Sequence, residues 1–252
     1  FEDTPNLEVR VFFDAEANVF DALVVDEAHR LNEKSGLYGN LGENQIKELI
    51  ASAKCTILFA DDDQMVTLAD IGHSADLEKW ARRMGADVTH LELASQFRCA
   101  GSDGYLAWLD DVLGIRETAN SYLEPGSYDF RVVDNPTELD QLIRERNGGN
   151  KSRLVAGYCW DWKSKRNPDA YDIAFPESGF SRQWNLGRDG SLWITAPDSI
   201  EQVGCIHTCQ GLELDYVGVI IGPDFAMKDG ALTTNPAGRS KMDRSIRGWK
   251  TL

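Results

Sequence analysis

Two adjacent carboxylates, Asp26 and Glu27, directly follow a short apolar run that is typical of a buried parallel strand. Ligands of open α/β sheets bind beyond the carboxyl ends of the strands, so this pair lies where nucleotide chemistry takes place. There Asp26 could hold the water shell of a Mg²⁺ ion while Glu27 orients and deprotonates an attacking water. The same letters also fit an ordinary strand end, because short motifs of this kind often arise by chance.

Three further polar groups follow apolar runs of their own. Gln64 ends an acidic string after the second run, where a glutamine can sense a terminal phosphate. Arg98 follows the third run, and an arginine in that place can meet phosphate oxygens in a bidentate fork. After the fourth run, Gly211 lets the backbone approach a ligand and Glu213 supplies a carboxylate suited to a ribose.

Taken together, four motifs resemble a known family. The segments VVDEAH (24–29), ADDDQ (60–64), SQFR (95–98) and HTCQGLELDYVGVI (207–220) are similar to motifs II, III, IV and V of superfamily 1 helicases, in the same order. The nearest resemblance is to the bacterial Schlafen group 3-like DNA/RNA helicase domain, a P-loop NTPase, and it extends over residues 20–222. It implies a helicase or translocase that couples ATP hydrolysis to movement along single-stranded DNA or RNA.

The resemblance also implies a role for each matched residue of the first half. Asp26 would be the carboxylate that binds Mg²⁺ through water, and Glu27 would be the catalytic base. Gln64 would contact the γ-phosphate or its attacking water. Arg98 would act as an arginine finger that stabilises the charge on the transferred phosphoryl group.

Further roles fall on the second half of the chain. The residues that would line the nucleotide site there are Gln210, Gly211 and Glu213, with Glu213 near the ribose. The residues that would couple this site to the nucleic acid are His207, Thr208 and Trp160, although a tryptophan is more often a packing residue. ATP and Mg²⁺ are therefore the expected cofactors.

Alternation of strand-like and helical segments predicts an α/β fold. We expect two RecA-like domains of the P-loop NTPase type, with mainly parallel sheets, helices on both faces and the nucleotide cleft between them. The first covers residues 1–120, and the second covers residues 121–252 with a loop-rich insertion at about 161–198. The expected strands are 9–13, 22–25, 56–60, 88–93, 128–133, 153–159 and 216–221, with a short strand-like piece at 171–175 in the insertion. The expected helices are 43–53, 75–84, 104–113 and 138–146.

One part of the family pattern is missing. A phosphate-binding loop of the form GxxxxGKS or GxxxxGKT does not occur in the 252 residues, although its lysine binds the β- and γ-phosphates in this class. Nor does the second catalytic arginine that the family carries in its last motif. We therefore expect a truncated fragment of a larger ATPase or helicase, inactive by itself.

Composition limits the other possibilities. The chain is 42% hydrophobic, enough for a sizeable core, and contains no run long enough for a membrane span. Its five scattered cysteines favour a reducing compartment, so a cytoplasmic location is expected. A net charge of -15 is unusual for a protein that binds nucleic acid, although local basic groups occur at residues 163–166 and 239–250.

Other interpretations remain open. The fold could serve as a non-catalytic scaffold or protein-interaction module with a degenerate nucleotide site, beside a fused or associated nuclease. A metal-dependent nuclease using Asp61, Asp62 and Asp63 is weaker, because three consecutive carboxylates at a strand exit point in different directions and fit a solvated turn better.

Overall fold

The computed structural model describes residues 12–35, 39–65, 67–92, 103–126, 128–185, 190–209 and 212–251. The chain forms two compact units, one of residues 1–92 with 244–252 and the other of residues 93–243. The elements of the first unit are β1 (Leu23–Val25), α1 (Gln45–Ser52), β2 (Thr56–Leu58) and α2 (Ser74–Arg83). Those of the second unit are α3 (Asp103–Val112), α4 (Pro136–Glu145), β3 (Ser152–Ala156), β4 (Ile173–Phe175), β5 (Phe180–Trp184), β6 (Gln202–Cys205), α5 (Ile206–Cys209), β7 (Tyr216–Ile220), β8 (Phe225–Lys228) and β9 (Ala231–Thr234).

In the first unit, β1 and β2 pair in parallel, and a helix follows each of them. α1 begins where the Asn44 side chain accepts a hydrogen bond from the backbone N–H of Lys47, which satisfies a donor that the helix itself leaves free. Ile46 of α1 and Leu77 of α2 pack around the fully buried Ala28 just after β1. This core therefore fixes the segment that leaves the carboxyl end of β1.

The second unit is built on a five-stranded sheet in the order β4-β5-β6-β3-β7. β5, β6, β3 and β7 run parallel, and β4 pairs with β5 antiparallel. Trp184 and Trp193 are almost completely buried, which confirms that both are packing residues. β8 and β9 form a separate antiparallel hairpin.

α4 packs against this sheet because Gly218 of β7 has no side chain. A Cβ placed there would lie 2.7 Å from Leu154 Cδ2 and 2.9 Å from Ile143 Cγ1. Both distances are shorter than real carbon contacts, so the close approach of α4 to β7 and β3 requires glycine at this position.

Two arginines and two acids link α4 to its neighbours. Asp140 of α4 accepts hydrogen bonds from Arg144 and from Arg182 of β5. Arg144 also forms a bidentate pair with Glu201, which precedes β6, at 2.5 and 2.8 Å. The Arg144 guanidinium holds the pKa of the Glu201 carboxyl below its usual range.

The helices and most strands lie close to their predicted positions. All four expected helices are confirmed to within two residues, and four expected strands correspond to β1, β2, β3 and β7. Predictions of strands at 88–93 and 128–133 were wrong, because residues 88–92 and 128–133 pair with no strand in the described part of the chain. The strand predicted at 9–13 was wrong in its described part, because Phe12–Asp14 form a 3₁₀ helix. The strand-like piece at 171–175 corresponds to β4. The loop-rich stretch 161–198 contains β4 and β5.

The fold class is confirmed in its coarse form, a mixed α/β protein with parallel sheets. The predicted domain boundary at residue 120 stays a prediction. None of the helices that the model describes is both long and apolar enough to pass through a lipid bilayer.

Glu201→Gln should lower the stability of the protein at neutral pH but not in acid. A carboxyl whose folded pKa is depressed stabilises the protein above its unfolded pKa and loses this effect as the pH falls through the folded pKa. We expect a loss of about 0.5–1 kcal/mol at pH 7 for this partly exposed pair. The difference should shrink below about pH 4. Urea unfolding at both pH values measures it.

Glu177→Gln removes the same charge from an exposed carboxylate of the same unit and serves as the control. An equal loss of stability for Glu201→Gln at pH 7 and at pH 3.5 would contradict the assigned ion pair.

Candidate functional site

Asp26 and Glu27 lie at the carboxyl end of β1, and the backbone of Glu27 has an unusual conformation. Glu27 has a left-handed backbone, with φ 53° and ψ 38°, which residues other than glycine seldom adopt. Asp26 stabilises this turn, because its Oδ1 accepts a hydrogen bond of 2.9 Å from the Glu27 N–H. Backbone strain of this kind is often found at functional sites, where it sets the direction of a side chain.

His29 connects this strand exit with the exit of β2. Its side chain is buried, and its Nδ1 accepts a hydrogen bond of 3.1 Å from the Asp61 N–H. A neutral ring that accepts at Nδ1 carries its proton on Nε2. Nε2 lies 3.3 Å from Glu27 Oε2 without an aligned hydrogen bond, so the contact orients the carboxylate and leaves it able to accept a proton.

The acidic string after β2 is divided among separate hydrogen bonds. The Asp61 carboxylate accepts from the Asp63 N–H at 3.1 Å and from the Gln64 amide at 2.7 Å. Asp62 Oδ1 accepts from the backbone N–H and the hydroxyl of Ser74, the first residue of α2. The string is therefore a structured turn, more ordered than the solvated turn expected from the sequence. Its carboxylates do not converge on one metal.

Gly72 allows this arrangement to close. A Cβ at Gly72 would lie 1.7 Å from the carbonyl oxygen of Ala28 and 2.8 Å from the Cα of His29. The backbone of Gly72 thus packs directly against the segment that carries the histidine, and no larger residue fits without moving it.

Asp26 is suited to a hydrated Mg²⁺ ion. Its side chain is exposed, and only Oδ1 has a hydrogen-bond partner in the described part of the chain. Within the described residues there is no group of three or more His, Cys, Asp or Glu side chains that could enclose a metal. Because Mg²⁺ usually keeps several waters and takes only one or two protein carboxylates, a single open carboxylate is compatible with it.

In the second unit, Thr208 lies in α5 at the carboxyl end of β6. Its hydroxyl donates a hydrogen bond of 3.2 Å to Asn185 Oδ1, which also accepts from the Cys205 N–H at 3.0 Å. Asn185 is buried directly after β5 and therefore fixes the first turn of α5. Glu213 is exposed between α5 and β7.

Burial raises the pKa of the Cys209 thiol to about 12, so this thiol behaves as a small apolar group rather than as a nucleophile. Trp160 is half-buried, with its ring 5.8 Å from that of Phe175 and 6.4 Å from that of Trp184, measured between centroids. These contacts favour a packing role for Trp160, and its contact with nucleic acid stays a prediction.

The structure brings Asp26, Glu27 and Gln64 together at the carboxyl ends of two paired parallel strands. Arg98, Gln210 and Gly211 lie outside the described residues, as does the side chain of His207. Sequence reasoning missed His29 and Asn185. The letters DEAH did contain a signal for His29, because a histidine two residues after the base is near enough to touch it.

The sequence of the chain matches a known protein family. The model of the family described as Schlafen group 3, DNA/RNA helicase domain, matches residues 6–252, nearly the whole chain. The chain belongs to this family. An uncharacterised protein of Saccharomyces cerevisiae is 26% identical over 224 residues, which cover 80% of this chain and 49% of the yeast protein. The chain thus spans about half the length of this relative. No solved structure matches the chain.

The His29 ring of this Schlafen-type domain should be a single tautomer with its proton on Nε2. This follows because Nδ1 accepts the Asp61 N–H inside a buried environment. ¹⁵N chemical shifts of the imidazole ring at about pH 8, above the ordinary histidine pKa, measure the tautomer directly. The more exposed ring of His90 provides a reference. A proton found on Nδ1 of His29 would contradict the contact.

Gly72→Ala should destabilise the first unit by about 1–3 kcal/mol, because the added Cβ overlaps the backbone of Ala28. Thermal or urea unfolding measures the change. Gly104→Ala is the control, since a Cβ there meets only the Asn120 amide nitrogen at 3.5 Å, an ordinary contact in a helix that alanine favours. Equal stability of both variants would show that Gly72 does not pack as described.

Proposed function

We propose that the chain is the catalytic part of a nucleic-acid-dependent ATPase of the helicase type, with two RecA-like domains at residues 1–120 and 121–252. The observation that carries the proposal is the joining of Asp26, Glu27 and Gln64 through the buried His29 at the ends of β1 and β2. Membership of a DNA/RNA helicase domain family supports the same reaction class.

In this proposal Glu27 is the general base for an attacking water. Its left-handed backbone and the adjacent His29 Nε2–H fix the direction of the carboxylate. The carboxylate has no aligned hydrogen bond to that histidine, so its oxygens remain available to take the proton of a water. Gln64, held by Asp61, positions the water or contacts the terminal phosphate.

Asp26 is the residue that would hold Mg²⁺, through its open oxygen and the waters of the ion. When bound, Mg²⁺ neutralises charge on the transferred phosphoryl group. Arg98 as the arginine finger, and Gln210, Gly211 and Glu213 as nucleotide-binding residues, complete the proposal. The roles of these four residues are supported by the sequence motifs alone. A cytoplasmic location and a bacterial origin also stay predictions, and the matched relative is fungal.

A second candidate, the non-catalytic interaction module, is favoured by uncovered apolar surface. Val24 and Ile57, which lie opposite each other in β1 and β2, are 62% and 46% exposed. Val217 and Val219 of the edge strand β7 are 49% and 58% exposed. Apolar sheet surface of this kind marks a contact with further protein, either another part of a longer chain or a partner.

Glu27→Gln should abolish ATP hydrolysis and leave ATP binding intact. Loss of a general base typically lowers the rate about 100-fold or more. Because no GxxxxGKS or GxxxxGKT loop occurs in the 252 residues, the measurement is made on the full-length protein. Single-turnover hydrolysis is followed with and without single-stranded DNA or RNA.

The control for this variant is Glu33→Gln, which removes an exposed carboxylate of the same unit. If the protein is a nucleic-acid-dependent ATPase, single-stranded DNA or RNA stimulates its ATP hydrolysis, and of the two variants only Glu27→Gln abolishes it. Hydrolysis that is equal in the two variants, or absent from the wild-type protein with every strand tested, would favour the interaction module.

A further inference from the structure

Three exposed cations share one short turn between β3 and β4. They are Lys163, Lys165 and Arg166, and none of them forms an ion pair with a carboxylate within the described part of the chain. The chain as a whole carries a net charge of -15, so three free cations within four residues differ sharply from the rest of the sequence. We call residues 163–166 the basic turn.

A buried carboxylate anchors this turn. Asp172, only 3% exposed, accepts the Ser164 N–H on Oδ1 at 2.8 Å and the Ser164 hydroxyl on Oδ2. The same Oδ2 accepts the Trp184 N–H of β5 at 2.8 Å. Because Ser164 is itself 4% exposed, one residue of the turn is fixed to the sheet while the cations on either side remain in water.

The rest of the turn backbone is equally well held. The Lys163 carbonyl accepts hydrogen bonds from the backbone N–H groups of Arg166 and Asn167, each at 3.0 Å. Gln183 of β5 donates from its side chain to the carbonyls of Pro168 and Ala170. A turn ordered in this way has little backbone entropy left to lose when it binds a ligand.

The neighbouring aromatic ring is already occupied. Lys165 Nζ lies 5.5 Å from the centre of the Trp162 ring, and this ring packs edge-on against Tyr158 at 6.2 Å and tilted against Trp184 at 6.2 Å. A base therefore has little free ring face on which to stack. The exposed groups that remain are positive charges, which fit phosphates.

We propose that the basic turn is a phosphate-contact element that binds the backbone of single-stranded nucleic acid without reading its sequence. This inference rests on the proposed function and extends it, since it assigns the contact to a specific place in the second unit. Phosphate contacts carry no base information and do not involve the 2′-hydroxyl, so DNA and RNA homopolymers bind the turn equally.

The test replaces all three cations by glutamine, in Lys163→Gln/Lys165→Gln/Arg166→Gln, in the full-length protein. Fluorescence anisotropy with labelled oligo-dT and oligo-U is measured over a range of salt concentrations. Each phosphate contact on a single strand contributes about 0.7 to the slope of log affinity against log salt, so the slope should fall by about 2. At about 50 mM salt the affinity should fall at least tenfold.

The matched control is Lys34→Gln/Lys79→Gln/Lys228→Gln, which removes the same charge from three exposed and scattered lysines outside both basic groups. Its slope should equal that of the wild-type protein. An equal decrease of the slope in both triple variants overturns the proposal, as does a wild-type protein that binds neither oligonucleotide. Competition by poly-glutamate as strong as that by oligo-dT of equal charge also overturns it, because the turn would then bind acidic protein.

ATP hydrolysis separates this inference from the function on which it rests. Without nucleic acid, the basic-turn variant should hydrolyse ATP at the wild-type rate, since its cations are not placed in the catalytic group. If single-stranded DNA or RNA stimulates ATP hydrolysis by that variant as strongly as by the wild-type protein, the proposal for the basic turn is wrong and the proposed ATPase activity is still supported. A decreased salt slope in a protein without ATPase activity supports the basic turn while the proposed reaction fails.

Discussion

The hydrogen bond from the Asp61 N–H to His29 Nδ1 is the contact on which the proposed site depends. It joins the exits of two paired strands and leaves the ring proton on the nitrogen that faces Glu27. Beside it, the Ala28 N–H donates a hydrogen bond of 2.7 Å to the Phe59 carbonyl, so the His29 side chain extends a link that the backbone already makes between the two exits. The burial of His29 among Ala28 and the α1–α2 core makes the contact rigid, because a buried donor or acceptor that loses its partner costs about 1–3 kcal/mol.

Close packing of the Gly72 backbone against the segment of Ala28 and His29 supports this contact. Gly72 lies against the carbonyl of Ala28, so the chain that enters α2 packs directly against the backbone that carries the histidine. Asp62 bonds to Ser74 at the start of the same helix and ties the turn after β2 to it. The second unit uses the same principle, since buried Asn185 fixes Thr208 and buried Asp172 fixes the basic turn. In both units a buried polar group sets the position of an exposed one.

Local patterns predicted much of this fold but only part of the site. The helical segments of the sequence located α1 and α4, and the apolar runs located β1 and β2, because these signals lie within a few residues of each other. The run at 88–93 has the alternation of a strand, yet Leu91 is 92% exposed and residues 88–92 pair with no strand in the described part of the chain. His29 could not be assigned its role, since its partner Asp61 lies 32 residues further along the chain.

The central claim is that the group around Glu27 hydrolyses a nucleoside triphosphate. A crystal structure of the full-length protein with Mg²⁺ and a non-hydrolysable ATP analogue tests it most directly. If Glu27 and Gln64 act in this way, one water lies between their side chains and the terminal phosphate, at hydrogen-bond distances of about 3 Å from each of them. The account also predicts that Asp26 binds the ion through its waters. A triphosphate bound away from the ends of β1 and β2, with Glu27 facing bulk solvent, would contradict the account.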